Sequence, residues 1–319
     1  MSSMDQTVDR TVSEVAPPVT LSIITIVRND LPGLTASCDS LEPILADDIE
    51  HVIVDGSTES DVRDFLSLRR TGRLQWISGP DDGIYDAMNK GLSLASGSYV
   101  LFLNAGDRFQ TPFPMASLRT LISRSQAEEI PQVILGYSAE VYGKRKYLRP
   151  GLGRETDVFM APSHQATFYP RHFINTNRFR CDMPVGGDGE FTARGIYYCG
   201  AVFFPAVICE FSLGGVSTSY SRINVVLRRL KETTSPVQQL KLLTKLVLWR
   251  VLPRKLFYDL MASYKYTRFT DAAALPLPAG ELHISRYADA IGSNWKFDPK
   301  GVFSSLASEY NHMSTDQKN

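Results

Sequence analysis

No uncharged run in this 319-residue chain approaches the roughly 18 apolar residues that a membrane-spanning helix requires, so no transmembrane segment is expected. Cysteine is scarce. Cys38, Cys181, Cys199 and Cys209 are widely spaced with no C-x-x-C pair, which suits reduced thiols in a cytoplasmic compartment better than a disulfide frame or a zinc site. Net charge is also missing: 34 Lys and Arg cancel 34 Asp and Glu, so no global field recruits nucleic acid or an anionic membrane, and any such attraction must be local. The five histidines form no H-x-x-x-H pair, and there is neither a G-x-S-x-G elbow nor a G-x-x-x-x-G-K-[ST] phosphate loop. Gly151-Leu-Gly153 lacks the third glycine of a dinucleotide fingerprint and follows Pro150 rather than a strand. Residues 1–19 are polar, have no signal-like apolar core, and read as a disordered lead-in.

What is present is an ordinary globular mixture, 43% apolar and 21% charged, enough to bury the core of one large or two modest domains. The β-branched run Leu21 to Val27 predicts a buried strand leaving the sheet at Arg28-Asn29-Asp30, and a short helix over 34–41 follows. His51 to Val54 predicts a second strand and Leu74 to Ser78 a third. Between them lies a helix reaching about Arg70, with Thr58 and Asp61 at capping spacing. A helix over 84–95 then leads to a fourth strand, Tyr99 to Leu103. Strands alternating with helices make right-handed βαβ units, hence a mostly parallel, Rossmann-like sheet flanked by helices.

Ligands of such sheets bind beyond the carboxyl ends of the strands. Those ends carry Asn29, Asp55, Asp81 with Asp82, and Asn104 with Asp107. Any one of them alone also reads as a turn residue, but four successive ends of the same chemistry converge on one rim. Beyond Asp107 the pattern predicts a helix over 112–125, paired strands over 133–137 and 139–142, a loop over 149–162, a strand over 165–169, and a helix from Phe191. From Arg222 to Arg268 eleven Lys and Arg face only Glu232 and Asp259, with helices expected over 222–232 and 236–252. That segment reads equally as a peripheral contact with an anionic membrane or as a packing element for the domain or a second subunit.

Seven strings in order carry a resemblance: Ser22-Ile-Ile-Thr25 with Asn29, Val54-Asp-Gly-Ser-Thr58, Asp82-Gly-Ile-Tyr-Asp-Ala-Met-Asn-Lys-Gly91, Phe102-Leu-Asn-Ala-Gly-Asp107, His164-Gln-Ala-Thr-Phe168, Gly187-Asp-Gly-Glu-Phe191 and Gly214-Gly-Val-Ser217. Residues 20–217 thereby resemble an inverting glycosyltransferase of family 2 with the GT-A fold, of the bacterial exopolysaccharide and capsule type. Residues 218–270 would then be a basic amphipathic C-terminal helical extension and 271–319 a weakly structured tail. The resemblance implies transfer of a sugar from a nucleotide-sugar to an acceptor hydroxyl, expectedly a lipid-linked glycan, in the cytoplasm or at the inner face of the plasma membrane. It places Thr25, Asn29 and Asp55 near the base and ribose, and Asp82, Asn89, Lys90 and Asn104 in the donor pocket.

In the same account Asp107 is a ligand of Mg²⁺ or Mn²⁺, although Asn104 and Gly106 stand where the family's metal motif usually has carboxylates. Asp188 matches the catalytic base, with Glu190 in reserve. Asp86, Asn89 and Lys90 also read as a salt-bridged helix face, and Asp188 as a solvated turn. His164 is expected on the acceptor side. The competing classes are a catalytically silent nucleotide-sugar binding or scaffold protein and a nucleotidyltransferase, for which the Gly/Arg/Lys-rich loop after the first strand is absent.

Overall fold

A computed structural model describes residues 18–69, 72–142, 145–149, 163–183, 186–212, 230, 236–265 and 267–269. The first half alternates as expected: β1 (Leu21–Val27), α1 (Leu31–Leu41), β2 (Ile49–Asp55), α2 (Asp61–Leu68), β3 (Arg73–Ser78), α3 (Ile84–Leu94) and β4 (Tyr99–Phe102). β1 pairs in parallel with β2 and β4, and β2 with β3. Every residue of β1 is buried, because a central parallel strand is covered on both faces. Helix α1 starts three residues before the expected position. Asp30 caps it by accepting from the Gly33 N–H at 2.9 Å, and Pro32 in the first turn costs no hydrogen bond there. The expected Thr58 cap does not form; Ser60 precedes α2 and its hydroxyl donates to Asp64 instead.

The second half adds β5 (Arg108–Phe109), α4 (Met115–Gln126), β6 (Val133–Tyr142), β7 (Arg145–Arg149), a 3₁₀ turn at His164–Ala166, β8 (Thr167–Pro170), α5 (Arg171–Thr176), α6 (Gly187–Cys199) and β9 (Ala201–Ser212). Then come α7 (Pro236–Val251), α8 (Arg254–Lys265) and β10 (Thr267–Phe269). The sheet runs β10-β7-β6-β8-β4-β1-β2-β3, with β9 alongside both β5 and β6. β8 is antiparallel to β4 and to β6, so the parallel half passes into a mixed half through one inserted strand.

Residues 133–142 form one strand rather than a pair; its hairpin partner is β7. β9 and α8 had no counterpart in the sequence reading. Apart from residue 230, the expected helix over 222–232 lies outside the described residues, as do the tail beyond 270 and the loop expected over 149–162, save Arg149, which ends β7.

One aromatic stack joins the two halves where it matters for chemistry. Tyr85 on α3 lies parallel to Phe179, with centroids 5.8 Å apart, and Phe179 stacks on Phe191 of α6 at 4.0 Å. Phe102 of β4 meets Phe179 edge-on at 5.2 Å. Contacts of this kind contribute about 0.5–1.5 kcal/mol each beyond their buried area. Asn89 then clamps Phe179 by its backbone, Nδ2 donating to the carbonyl at 2.9 Å and Oδ1 accepting from the N–H at 2.8 Å.

Candidate active site

The strand ends converge as a hydrogen-bonded rim. Asp55, the last residue of β2, is buried; Oδ1 accepts from the Ser57 N–H at 2.9 Å and Oδ2 from the Ser78 hydroxyl at 2.7 Å. Asn29 adopts φ +51°, a left-handed conformation that Asn tolerates, and its Oδ1 accepts from the Thr58 N–H at 2.9 Å. Asp81 leans over Gly56 so closely that a Cβ there would lie 1.8 Å from Oδ2, so a larger residue would have to turn that carboxylate away. The exposed Arg28 guanidinium stands 3.7 Å from the Asp81 carboxylate.

Several expected donor contacts are engaged within the protein. Thr25 is buried, its hydroxyl 2.9 Å from Nε2 of His51, an imidazole that burial pushes down to about 3. Asn89 holds Phe179. Lys90 pairs with Asp86 at 2.7 Å and donates to the Pro80 carbonyl at 2.8 Å, while Asp86 accepts from the Asp82 N–H. These contacts shape the loop around Asp82, whose own side chain stays exposed.

On the other wall, α6 begins after Gly186, at φ +87°, and brings Asp188 into its first turn. Oδ1 of Asp188 accepts from the Tyr85 hydroxyl at 3.1 Å, and Oδ2 lies 3.2 Å from Nδ1 of His164. The Tyr85 oxygen in turn accepts from the Gly187 N–H at 2.8 Å. The Asp188 side chain keeps 37% of its exposure. Burial works to raise its carboxyl, but the hydrogen bonds from His164, the Tyr85 hydroxyl and the Gly189 N–H outweigh it and hold the group well below the usual carboxylate range. Glu190 is placed differently: buried, with both oxygens 2.9 Å from the Arg194 guanidinium one turn along the helix.

Asp107 is 5% exposed and accepts from Nε2 of Gln165 at 3.1 Å; burial pushes its carboxyl up to about 7. Asn104 reaches His164 through Nδ2 at 3.4 Å, and its Oδ1 is buried with no hydrogen-bond partner among the described residues. No group of three or more His, Cys, Asp or Glu that could hold a metal ion occurs among those residues. A buried carboxyl bonded to Gln165, beside Asn104 and Gly106, does not fit a metal caged by the chain itself.

Tyr85 was missed in the sequence, though it lies within the Asp82–Gly91 string. Only its 103-position partnership with Asp188 reveals the role.

A family model described as Glycosyl transferase family 2 matches residues 22–129. An uncharacterized glycosyltransferase of Mycobacterium tuberculosis is 32% identical over 206 residues, covering 62% of this chain and 77% of that protein. A PGL/p-HBAD biosynthesis glycosyltransferase of Mycobacterium bovis is 29% identical over 180 residues, 54% of this chain and 68% of its own. Among solved structures, residues 1–349 of S. aureus TarS in complex with UDP-GlcNAc give a TM-score of 0.52 at 14% identity, over 86% of this chain and 80% of that one. A second TarS structure gives 0.51 at 14% identity over 74% of this chain, which spans less than half of it, 44%. At such identity the likeness to TarS is one of fold.

Proposed function

The chain belongs to glycosyltransferase family 2, and from that premise we propose an inverting transfer in which Asp188 takes the proton of an acceptor hydroxyl. The acceptor oxygen then attacks the anomeric carbon of a nucleotide-sugar. Its bond to the sugar forms as the bond to the diphosphate breaks, and the nucleoside diphosphate leaves with the electron pair. The observation that carries this reading is the setting of Asp188: a partly exposed carboxylate, fixed by Tyr85 and His164 and held ionised, directly across from the donor-side helix α3. Asn29, Asp55 and Asp82 form the nucleotide side of the cleft, with Asn104 toward the sugar and diphosphate.

The acceptor in this proposal is a lipid-linked glycan of a cell-surface polysaccharide. The similarity to a PGL/p-HBAD biosynthesis enzyme and the basic C-terminal helices support that class. No helix among the described residues is long and apolar enough to cross a membrane. Helix α7 nevertheless exposes Val237, Leu240, Leu243, Val247 and Val251, so contact at the inner membrane surface belongs to the same proposal.

Incubation with UDP-, GDP- and dTDP-sugars tests the reading. Release of a free nucleoside diphosphate, increased by acceptor, is expected. Binding with no turnover identifies a silent nucleotide-sugar binding protein, and pyrophosphate chemistry a nucleotidyltransferase. Mg²⁺ or Mn²⁺ is supplied in the assay and withdrawn with EDTA, since the motif that would hold it has Asn104 and Gly106 where carboxylates are usual.

A further inference from the structure

His164 touches both sides of the cleft. It sits in the 3₁₀ turn before β8, with a side chain only 11% exposed, so packing fixes its ring plane. Nδ1 faces Oδ2 of Asp188 at 3.2 Å and Nε2 faces Nδ2 of Asn104 at 3.4 Å. An amide nitrogen can only donate, so Nε2 accepts; the ring proton therefore sits on Nδ1 and is donated to Asp188. The hydrogen bonds then run in one direction, Asn104 to His164 to Asp188. The Tyr85 hydroxyl arrives at the carboxylate from the opposite side.

With Nδ2 committed to the imidazole, Oδ1 of Asn104 is turned away from it. That oxygen is the buried acceptor without a partner among the described residues.

We propose that His164 is a positioning residue serving two groups at once: Nδ1 aims the Asp188 carboxylate at the acceptor hydroxyl, and Nε2 holds the Asn104 amide with its carbonyl toward the bound nucleotide-sugar. This rests on the glycosyl-transfer reading above and adds to it one ring whose two nitrogens serve separate groups. The ionisable groups facing Asp188 from packed elements are His164 and Tyr85. Glu190 on its own helix is tied to Arg194, and Asp107, behind His164, is bonded to Gln165.

Two substitutions separate the two ring nitrogens, because an Asn side chain can reproduce the Nδ1 donor and a Gln side chain reaches the Nε2 position. His164→Asn is expected to weaken nucleotide binding about 3- to 10-fold, the usual worth of one neutral hydrogen bond, and to lower kcat less than His164→Gln does. Binding is measured by calorimetry with whichever of UDP, GDP and dTDP the wild-type chain binds. His164→Gln is expected to weaken that binding less than His164→Asn does and to lower kcat about 10²-fold through a misplaced base. Its acid limb in the pH–rate profile should also move upward, since burial of Asp188 is then unopposed by the imidazole.

Wild-type protein labelled with ¹⁵N at histidine gives an independent reading that needs no folded variant. A ring protonated on Nδ1 and bare on Nε2 is expected for His164, and the reverse tautomer overturns the proposal. Variants that shift both readouts to the same extent, or neither, overturn it as well and reduce His164 to packing. A wild-type chain that turns over no donor overturns the transfer reading beneath it.

Discussion

At the scale of single residues, two carboxylates that sit two positions apart in sequence have opposite environments. Asp188 is partly open and held by donors that remain when it is ionised, whereas Glu190 is closed off against Arg194. Asp188→Asn is therefore expected to lower transfer by about 10²- to 10⁴-fold with nucleotide binding intact, as measured by initial rates and calorimetry. Glu190→Gln is expected to keep kcat within a few-fold and to lower the melting temperature. Breaking a buried ion pair costs about 3–5 kcal/mol, because the remaining charge is left uncompensated. An inactive but stable Glu190→Gln protein, with Asp188→Asn active, would reverse the assignment.

Asp107 makes a prediction about pH. Its folded value of about 7 lies above the ordinary 3.8, so the folded chain keeps a proton that the unfolded chain has already released. The stability this group contributes is present in full below about pH 4 and is lost as pH rises through about 7. The melting temperature of Asp107→Asn, relative to wild type, should rise across that window and then level. Nucleotide binding with Mg²⁺ and with EDTA, measured with whichever of UDP, GDP and dTDP the wild-type chain binds, should show the same ratio in both proteins; loss of the metal effect in the variant alone would return Asp107 to a metal-binding role.

Residue identity made the rim legible, because Asn29, Asp55 and Asp82 end strands whose pattern was plain. It could not show that Thr25 turns to His51 or Asn89 to Phe179, since both depend on a partner brought in by tertiary packing.

At the scale of elements, the βαβ order of the first half was readable because each strand is short, apolar and closed by turn residues. The second half was less so. β6 reads as two strands because its polar residues Ser138 and Glu140 interrupt the apolar pattern, yet both are buried against β9 and β7. β9 follows α6 after a single residue, Gly200, at φ +64°, leaving no loop to announce it. The start of α6 matters most for the site. A Cβ on Gly187 would lie 2.8 Å from the Tyr85 ring, so Gly187→Ala must displace either the ring or the first turn that carries Asp188. A fall in kcat of about 10-fold or more with unchanged nucleotide binding is expected from stopped-time transfer assays, misplacement near the chemistry being costly. A normal rate would mean that the Tyr85 contact is dispensable.

For the molecule as a whole, a neutral total conceals a basic C-terminal region whose described helices expose apolar side chains, Leu240 by 65% and Val251 by 73%. Around α7, Lys241 and Arg250 flank that stripe on its two sides, where they can meet anionic headgroups at about 1 kcal/mol each. Flotation with anionic vesicles is expected to carry the full chain upward at low salt. Binding should weaken with added salt and in a Lys241→Gln, Lys245→Gln, Arg254→Gln, Lys255→Gln variant. A chain that stays with the soluble fraction assigns the stripe to packing or to a second copy.

The bond between Tyr85 and Asp188 closes a gap of 103 positions, while the strands of the nucleotide side pair with near neighbours. Chains fold from the amino end as they are made, and local units form before distant ones. On the ribosome, the parallel strands β1 to β4 are therefore made before the residues that lock α3 in place, Phe179 against Asn89 and Asp188 against Tyr85. The cleft's two walls meet only when the later segment arrives, so its final geometry is a late event in folding.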